Sequence, residues 1–168
     1  MKLRTKTLVR AGVIAALYAA LTYAAAAMNL AFGGIQFRFS EALTILPIFT
    51  PAALPGLTFG CLLSNLASPY PLDMLFGTAA TLLSAAATYA LRGLRIRNVP
   101  VLALLPPVLI NAVVVGAQIV LTMTKGFSAA AFWPFALQVG IGQFVVCYGL
   151  GLPLFFMLDR SELKQYLQ

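Results

Sequence analysis

The chain has 168 residues, of which 61% are hydrophobic and only 9% charged, and its mean hydropathy is +0.94. A soluble domain carries about 25% charged residues, so these values exclude one; they predict an all-α membrane protein with room for about six spans of about 20 residues, forming one membrane domain over 1–168. The net charge of +7 does not point to nucleic acid, because the basic residues stand at the ends of apolar segments and not on one helix face or among exposed aromatics, and the absence of histidine leaves few parts for an enzyme, a metal site or a cofactor.

The first apolar segment, about 7–28, follows Lys2, Arg4, Lys6 and Arg10. A basic start with an alanine-rich end imitates a cleavable signal peptide, but the apolar run is longer than the core of about 7–15 residues in such a peptide, so it reads as a retained first helix. Alanines recur at four-residue spacing, Ala11, Ala15 and Ala19, with Gly12, Ala16 and Ala20 in a parallel register. Small residues so spaced let helices approach closely in lipid, either within the chain or against a separate membrane subunit.

The second and third segments, about 41–50 and 54–67, are separated by Thr50-Pro51-Ala52-Ala53-Leu54-Pro55-Gly56. Proline removes a backbone donor and clashes with the preceding turn, so a tight helical hairpin is expected there. Arg38 and Glu41 immediately precede it, and charges in so apolar a chain mark functional positions. An interfacial cap with Ser40 as N-cap and Glu41 at the positive helix end explains them in one way. In the other, Glu41 accepts hydrogen bonds from ligand N–H groups while Arg38 orients the ligand or closes a lid.

The last three segments are expected at about 73–91, 100–123 and 132–157. Asp73 follows Ser68-Pro69-Tyr70-Pro71-Leu72; it serves either as a capping acid or as a second carboxylate for a cationic amine or paired N–H donors. Asn111 sits in the middle of an apolar run and Gln118 lies seven residues on, hence on nearly the same helix face, with Gln138 and Gln143 on the next helix. Such amides either bond neighbouring helices or read the edge of a flat heterocycle. Trp133, Phe132, Tyr70 and Phe37 suit an interfacial aromatic belt, from which one ring or more would stack on a bound ligand. Cys61 and Cys147 lie deep in apolar runs without CxxC spacing and read as small buried hydrophobes.

Cationic residues tend to stay in cytoplasmic loops. With the N-terminus inside, Lys2, Arg4, Lys6, Arg10, Arg92, Arg95, Arg97, Arg160 and Lys164 are cytoplasmic and only Arg38 and Lys125 are outside. Both termini are therefore expected in the cytoplasm. That topology puts Glu41, Asn65, Asp73, Gln118 and Gln138 toward the outside and Asn111 and Gln143 near mid-depth, which describes an outward-facing polar pocket. A channel would be polar at both depths, and a stand-alone carrier would show two related halves.

The basic start with its alanine-rich helix, the run Ile35-Gln36-Phe37-Arg38-Phe39-Ser40-Glu41-Ala42-Leu43-Thr44, the run Pro47-Ile48-Phe49-Thr50-Pro51-Ala52-Ala53-Leu54-Pro55-Gly56 and the run Leu105-Pro106-Pro107-Val108-Leu109-Ile110-Asn111-Ala112 closely resemble the QueT family over nearly the whole chain. That family comprises substrate-binding S components of energy-coupling factor transporters for queuosine precursors. The resemblance implies six transmembrane helices in an S-component-like fold in the bacterial cell membrane, with a transmembrane coupling subunit and two ATP-binding cassette ATPases as partners. It also implies that Ala11, Ala15 and Ala19, or Ala16 and Ala20, dock the coupling subunit, and that the loop from Asn29 to Phe39 covers the ligand, with Gly33-Gly34 giving it freedom to move. No GxxxxGK[ST] phosphate loop occurs in the sequence, so energy is expected from partners.

The expected function is capture, without catalysis, of a 7-deazaguanine such as the aminomethyl or cyano precursor of queuosine, or queuine. Glu41 or Asp73 would accept from the ring N–H and exocyclic amine, with Asn111, Gln118 and Gln138 reading carbonyl and ring nitrogens and Arg38, Asn65 and Trp133 completing the candidate set. An S component for another vitamin or small cation, or a membrane scaffold subunit whose polar residues only satisfy each other, fits the same residues.

Overall fold

The computed structural model describes residues 2–32, 35–124 and 126–162; the Gly33-Gly34 hinge and the loop residues Lys125 and Lys164 lie outside them. The described residues are all helical apart from turns and one isolated bridge between Ile96 and Val99. Helix α1, Lys2–Ala27, is rich in alanine, the strongest helix former. It stops at Asn29, whose φ of 56° is left-handed. Leu30 N–H then donates to the Ala25 carbonyl and Asn29 N–H to that of Ala26, both at 2.9 Å, which closes the helix end in a Schellman turn.

The chain next runs through the centre of the bundle as a 3₁₀ helix, Phe39–Ile48, in which every residue from Ser40 to Ile48 is buried. An α-helical second segment was expected at 41–50; the ten-residue run that replaces it is long for a conformation seldom extending past about 3–4 residues. Its three-residue period divides the side chains into three rows. Ser40, Leu43 and Leu46 face α1 and α2, the two leucines packing with Ile14, Tyr18 and Leu57. Ile45 and Ile48 pack with Leu104, Val108, Cys147 and Phe155. Glu41 and Thr44 form the third row, which is polar.

Around this rod stand α2 (Ala53–Asn65), α3 (Asp73–Ala90), α4 (Leu105–Met123), α5 (Ala129–Gly149) and α6 (Gly151–Arg160). The α-helices pack in the order α1, α2, α3, α4, α5, and the 3₁₀ helix packs on α1, α2, α3, α5 and α6. Pro106 and Pro107 sit in the first turn of α4, where a missing N–H costs nothing, and Ser128 Oγ caps α5 by accepting from Ala131 N–H at 3.4 Å. The expected single helix over 132–157 is broken at Leu150 into α5 and α6. Pro153 explains the break, since it has no N–H for the Gly149 carbonyl and its ring crowds that group.

Among the described residues, three stretches are long and apolar enough to cross a membrane: Thr5–Ala27, Val101–Met123 and Ala129–Arg160. The outer surface is correspondingly greasy, with Leu8, Leu75, Leu137 and Met157 all exposed, whereas Arg38, Glu41, Asp73, Asn111 and Gln118 are buried beside the apolar core. A water-soluble bundle would expose such polar residues and cover such a surface.

Helices α1 and α2 approach closely at two glycines. A Cβ placed on Gly56 would come within 2.9 Å of the Ala11 carbonyl oxygen and the Ile14 Cβ, and one on Gly60 within 2.7 Å of the Tyr18 Cβ, while Gly12 has open space. Gly60→Ala is therefore expected to cost about 1–3 kcal/mol through overpacking, and Gly12→Ala to be neutral or to stabilise by up to about 1 kcal/mol. Thermal unfolding of the two variants in detergent checks the contrast.

Candidate ligand-binding site

The buried stretch 36–44 organises two polar assemblies. The first is centred on Arg38, an extended residue at the start of the 3₁₀ helix (φ −83°, ψ 105°) that is only 5% exposed. Its Nε donates to the Ala31 carbonyl at 3.1 Å, one terminal nitrogen to Asn65 Oδ1 at 3.2 Å and the other to Asp73 Oδ2 at 3.3 Å. The guanidinium also lies 5.1 Å from the centre of the Phe32 ring. Ser68 Oγ donates to the same Asp73 oxygen at 2.5 Å, and Asn65 Nδ2 donates to the Asp73 carbonyl at 2.8 Å. Arg38 thereby fastens the segment after α1 to the turn between α2 and α3. Asn65 and Asp73 are held in the same knot.

This geometry corrects the capping expectation. Arg38 pairs with Asp73 and not with Glu41, and Ser40 is inside the 3₁₀ helix, where its Oγ lies 2.7 Å from Thr22 Oγ1 instead of capping the backbone. The residue at the N-cap of α3 is Leu72; Asp73 occupies the first turn.

The second assembly surrounds Glu41. Tyr18 Oη donates to Glu41 Oε1 at 2.5 Å. Thr44 Oγ1 donates to the Glu41 carbonyl at 2.6 Å, and Cys147 Sγ lies 3.7 Å from the same carbonyl and 3.6 Å from Gln143 Oε1. Cys147 lies about 27 Å along α5 from its first residue, Ala129, by the helical rise. Glu41 is thus in the first turn of the second helix, as expected, but buried deep in the bundle. It gets there because the segment before it dips inward: a Cβ on Gly142 would overlap the Gln36 carbonyl, so only glycine lets that backbone lie against α5.

Several polar atoms in this interior are fully buried and have no hydrogen-bond partner: Glu41 Oε2, Gln36 Nε2, Thr78 Oγ1, Ser84 Oγ, Thr88 Oγ1, Asn111 Nδ2 and both amide atoms of Gln118. They come from the segment before the 3₁₀ helix, from its polar row, and from the inward faces of α3 and α4. Buried polar atoms are normally satisfied because leaving one bare costs about 1–3 kcal/mol. Unmatched donors and acceptors of this kind can be answered by a bound molecule with complementary groups.

The structure therefore buries Arg38, Glu41, Asn65, Asp73, Asn111 and Gln118, with Arg38, Asn65 and Asp73 engaged with one another and Glu41, Asn111 and Gln118 retaining unused capacity. Gln138 is half-buried. Trp133 is 66% exposed on the outer surface, edge-on to Phe132 at 5.2 Å, and is not brought to the others. Tyr18, Gln36, Thr78 and Thr88 were not singled out from the sequence. For Tyr18 a signal existed, because a tyrosine halfway along an apolar helix must place its hydroxyl somewhere.

On α1, Ala15 is buried and Ala11 half-buried against α2, whereas Gly12, Ala16, Ala20 and Ala24 are exposed. The two alanine registers thus face different surroundings.

Removing one partner of a buried ion pair leaves an uncompensated charge, whereas replacing both by apolar groups is often neutral. Asp73→Asn is expected to destabilise by about 3 kcal/mol, and the double variant Arg38→Met, Asp73→Leu to recover most of that loss. Unfolding of the three proteins in one detergent measures it.

No solved structure matches the chain. The queuosine precursor transporter QueT of Lactococcus lactis subsp. cremoris (strain MG1363) is 35% identical over 81 residues, a stretch spanning 48% of this chain and 48% of that relative. The family model described as QueT transporter matches residues 8–160, which takes in α1 through α6 and both polar assemblies. The chain belongs to the QueT transporter family.

Proposed function

We propose that the chain is the ligand-capturing S component of an energy-coupling factor importer and that it binds a 7-deazaguanine precursor of queuosine in the polar interior around Glu41. The observation that carries this reading is the set of buried, unpartnered atoms on Glu41, Gln36, Ser84, Asn111 and Gln118. A deazaguanine edge offers two ring N–H groups, an exocyclic amine, a carbonyl and a ring nitrogen acceptor. Glu41 Oε2 is an acceptor for the amine and a ring N–H; Asn111 Nδ2 and Gln36 Nε2 are donors for the carbonyl and ring nitrogen; Gln118 offers one group of each kind. The transport role named for the Lactococcus relative supports the same ligand class.

Asp73, in this reading, does not touch the ligand. With Arg38 and Asn65 it holds down the segment that carries Gln36 and Glu41. Both termini lie in the cytoplasm, as the distribution of basic residues implies, and the ligand enters from outside. Transport energy comes from a coupling subunit and two ATPases. The exposed register Gly12, Ala16, Ala20 is the face of α1 left for the coupling subunit, since Ala11 and Ala15 pack on α2.

A site built of hydrogen bonds rejects analogues lacking the matching groups by about 10⁴-fold. Calorimetric titration of the purified chain with guanine, queuine and the aminomethyl and cyano 7-deazaguanines is expected to show tight binding of one or more deazaguanines. Failure to bind any of them overturns the proposal. Glu41→Gln is expected to weaken the tightest ligand by about 10- to 100-fold, the worth of a hydrogen bond to a charged group.

A further inference from the structure

Glu41 is held at almost every polar atom. Its carbonyl receives Thr44 Oγ1 at 2.6 Å and has Cys147 Sγ at 3.7 Å, and its Oε1 receives the Tyr18 hydroxyl at 2.5 Å. Oε2 is the exception, buried with no donor in hydrogen-bond geometry, although the Gln143 side chain interacts with the carboxylate from α5. A carboxylate with two equivalent oxygens can rotate about its last torsion, which is broad. One donor fixed to one oxygen removes that freedom and aims the other.

The donor itself cannot move. Tyr18 is fully buried, and its Cβ lies against Gly60, where α1 and α2 approach so closely that a Cβ there would come within 2.7 Å of it. One helical turn on, Thr22 Oγ1 lies 2.9 Å from the Tyr18 carbonyl and 2.7 Å from Ser40 Oγ, so α1 and the residue preceding Glu41 are tied at a second point. A tyrosine presents its hydroxyl through only two torsions. The rigid crossing of α1 and α2 thus sets the phenol, and the phenol sets the carboxylate.

We infer that Tyr18 is a positioning residue for specificity: by holding Glu41 Oε1 it presents Oε2 alone, in one orientation, to the N–H groups of the ligand. This rests on the reading of Glu41 as the ligand's acceptor. Tyr18 touches Glu41 and acts through it, so its removal should blur the choice between ligands more than it weakens binding as such.

The test compares aminomethyl-7-deazaguanine with its analogue lacking the exocyclic amine, titrated into the wild-type chain and into Tyr18→Phe, which keeps the ring and loses the hydroxyl. In the wild type the amine-bearing ligand is expected to bind much more tightly. In Tyr18→Phe its affinity falls about tenfold while that of the analogue changes little, so the ratio of the two shrinks. A ratio that is preserved, whether both affinities fall together or neither changes, overturns the inference. The same substitution in a Glu41→Gln background, where no carboxylate remains to be positioned, should change the ratio no further, and a further fall there also overturns it. If Glu41→Gln weakens binding and Tyr18→Phe does nothing, the site assignment stands and the role of Tyr18 falls. If the wild type binds neither ligand, both fall together.

Discussion

A polar group enclosed by lipid-facing helices has no water to fall back on, and every one of them must be answered from within the chain or by what the chain binds. The arrangement of this protein follows from how it meets that demand. Backbone groups are answered by helices, including a 3₁₀ helix threaded through the middle of the bundle. Several hydroxyls bond back to a carbonyl on their own helix, as Thr58, Ser64 and Thr81 do. The buried guanidinium of Arg38 is enclosed by a carbonyl, an amide and a carboxylate. What is left over comes from Gln36, Glu41 and the helices α3 and α4.

The two charges three residues apart in the sequence thus have opposite roles. Arg38 is spent on architecture and Glu41 is not. The three-residue spacing matters less than the change of direction between them: Arg38 turns outward to the junction of α2 and α3, and Glu41 turns inward to α1 and α5. Fastening the chain at Arg38 is what allows the next residues to descend as an unbranched, buried rod. The inward dip at Gln36 and the depth of Glu41 belong to the same construction.

Much of this was legible beforehand. The seven-residue interval from Asn111 to Gln118 placed both amides on one face of α4, because 3.6 residues per turn brings them nearly into line, and both are buried there. Charge in an apolar chain singled out Arg38, Glu41 and Asp73 correctly as unusual. The partners of those charges were not legible, since Arg38 meets Asp73 and Glu41 meets Tyr18 across 35 and 23 residues of chain, and only the packing of α1 on α2, of α2 on α3 and of the 3₁₀ helix among them decides such distant pairs. The 3₁₀ winding of Phe39–Ile48 was also hidden, because its pattern of apolar residues fits a short α-helix equally well. The division of the last segment was recoverable from Pro153, whose effect on the carbonyl four residues back is local chemistry. Trp133 fell on the lipid side, where a large amphipathic ring near a helix end is at home.

The winding of the central rod carries a constraint on how this protein can change over evolutionary time. In a helix with three residues per turn, every third side chain points the same way, so the rows Ser40-Leu43-Leu46, Ala42-Ile45-Ile48 and Glu41-Thr44-Pro47 each keep their own direction along the rod. Deleting or inserting a single residue before Glu41 would turn the whole rod by a third of a revolution, one way or the other, and put an apolar row where Glu41 and Thr44 stand. Nothing in the surroundings could absorb that rotation by small adjustment. Length variation among relatives should therefore collect in the connections outside the bundle, such as the turn around Arg95 and Arg97, and leave the stretch from Arg38 to Ile48 untouched in number even where its side chains differ.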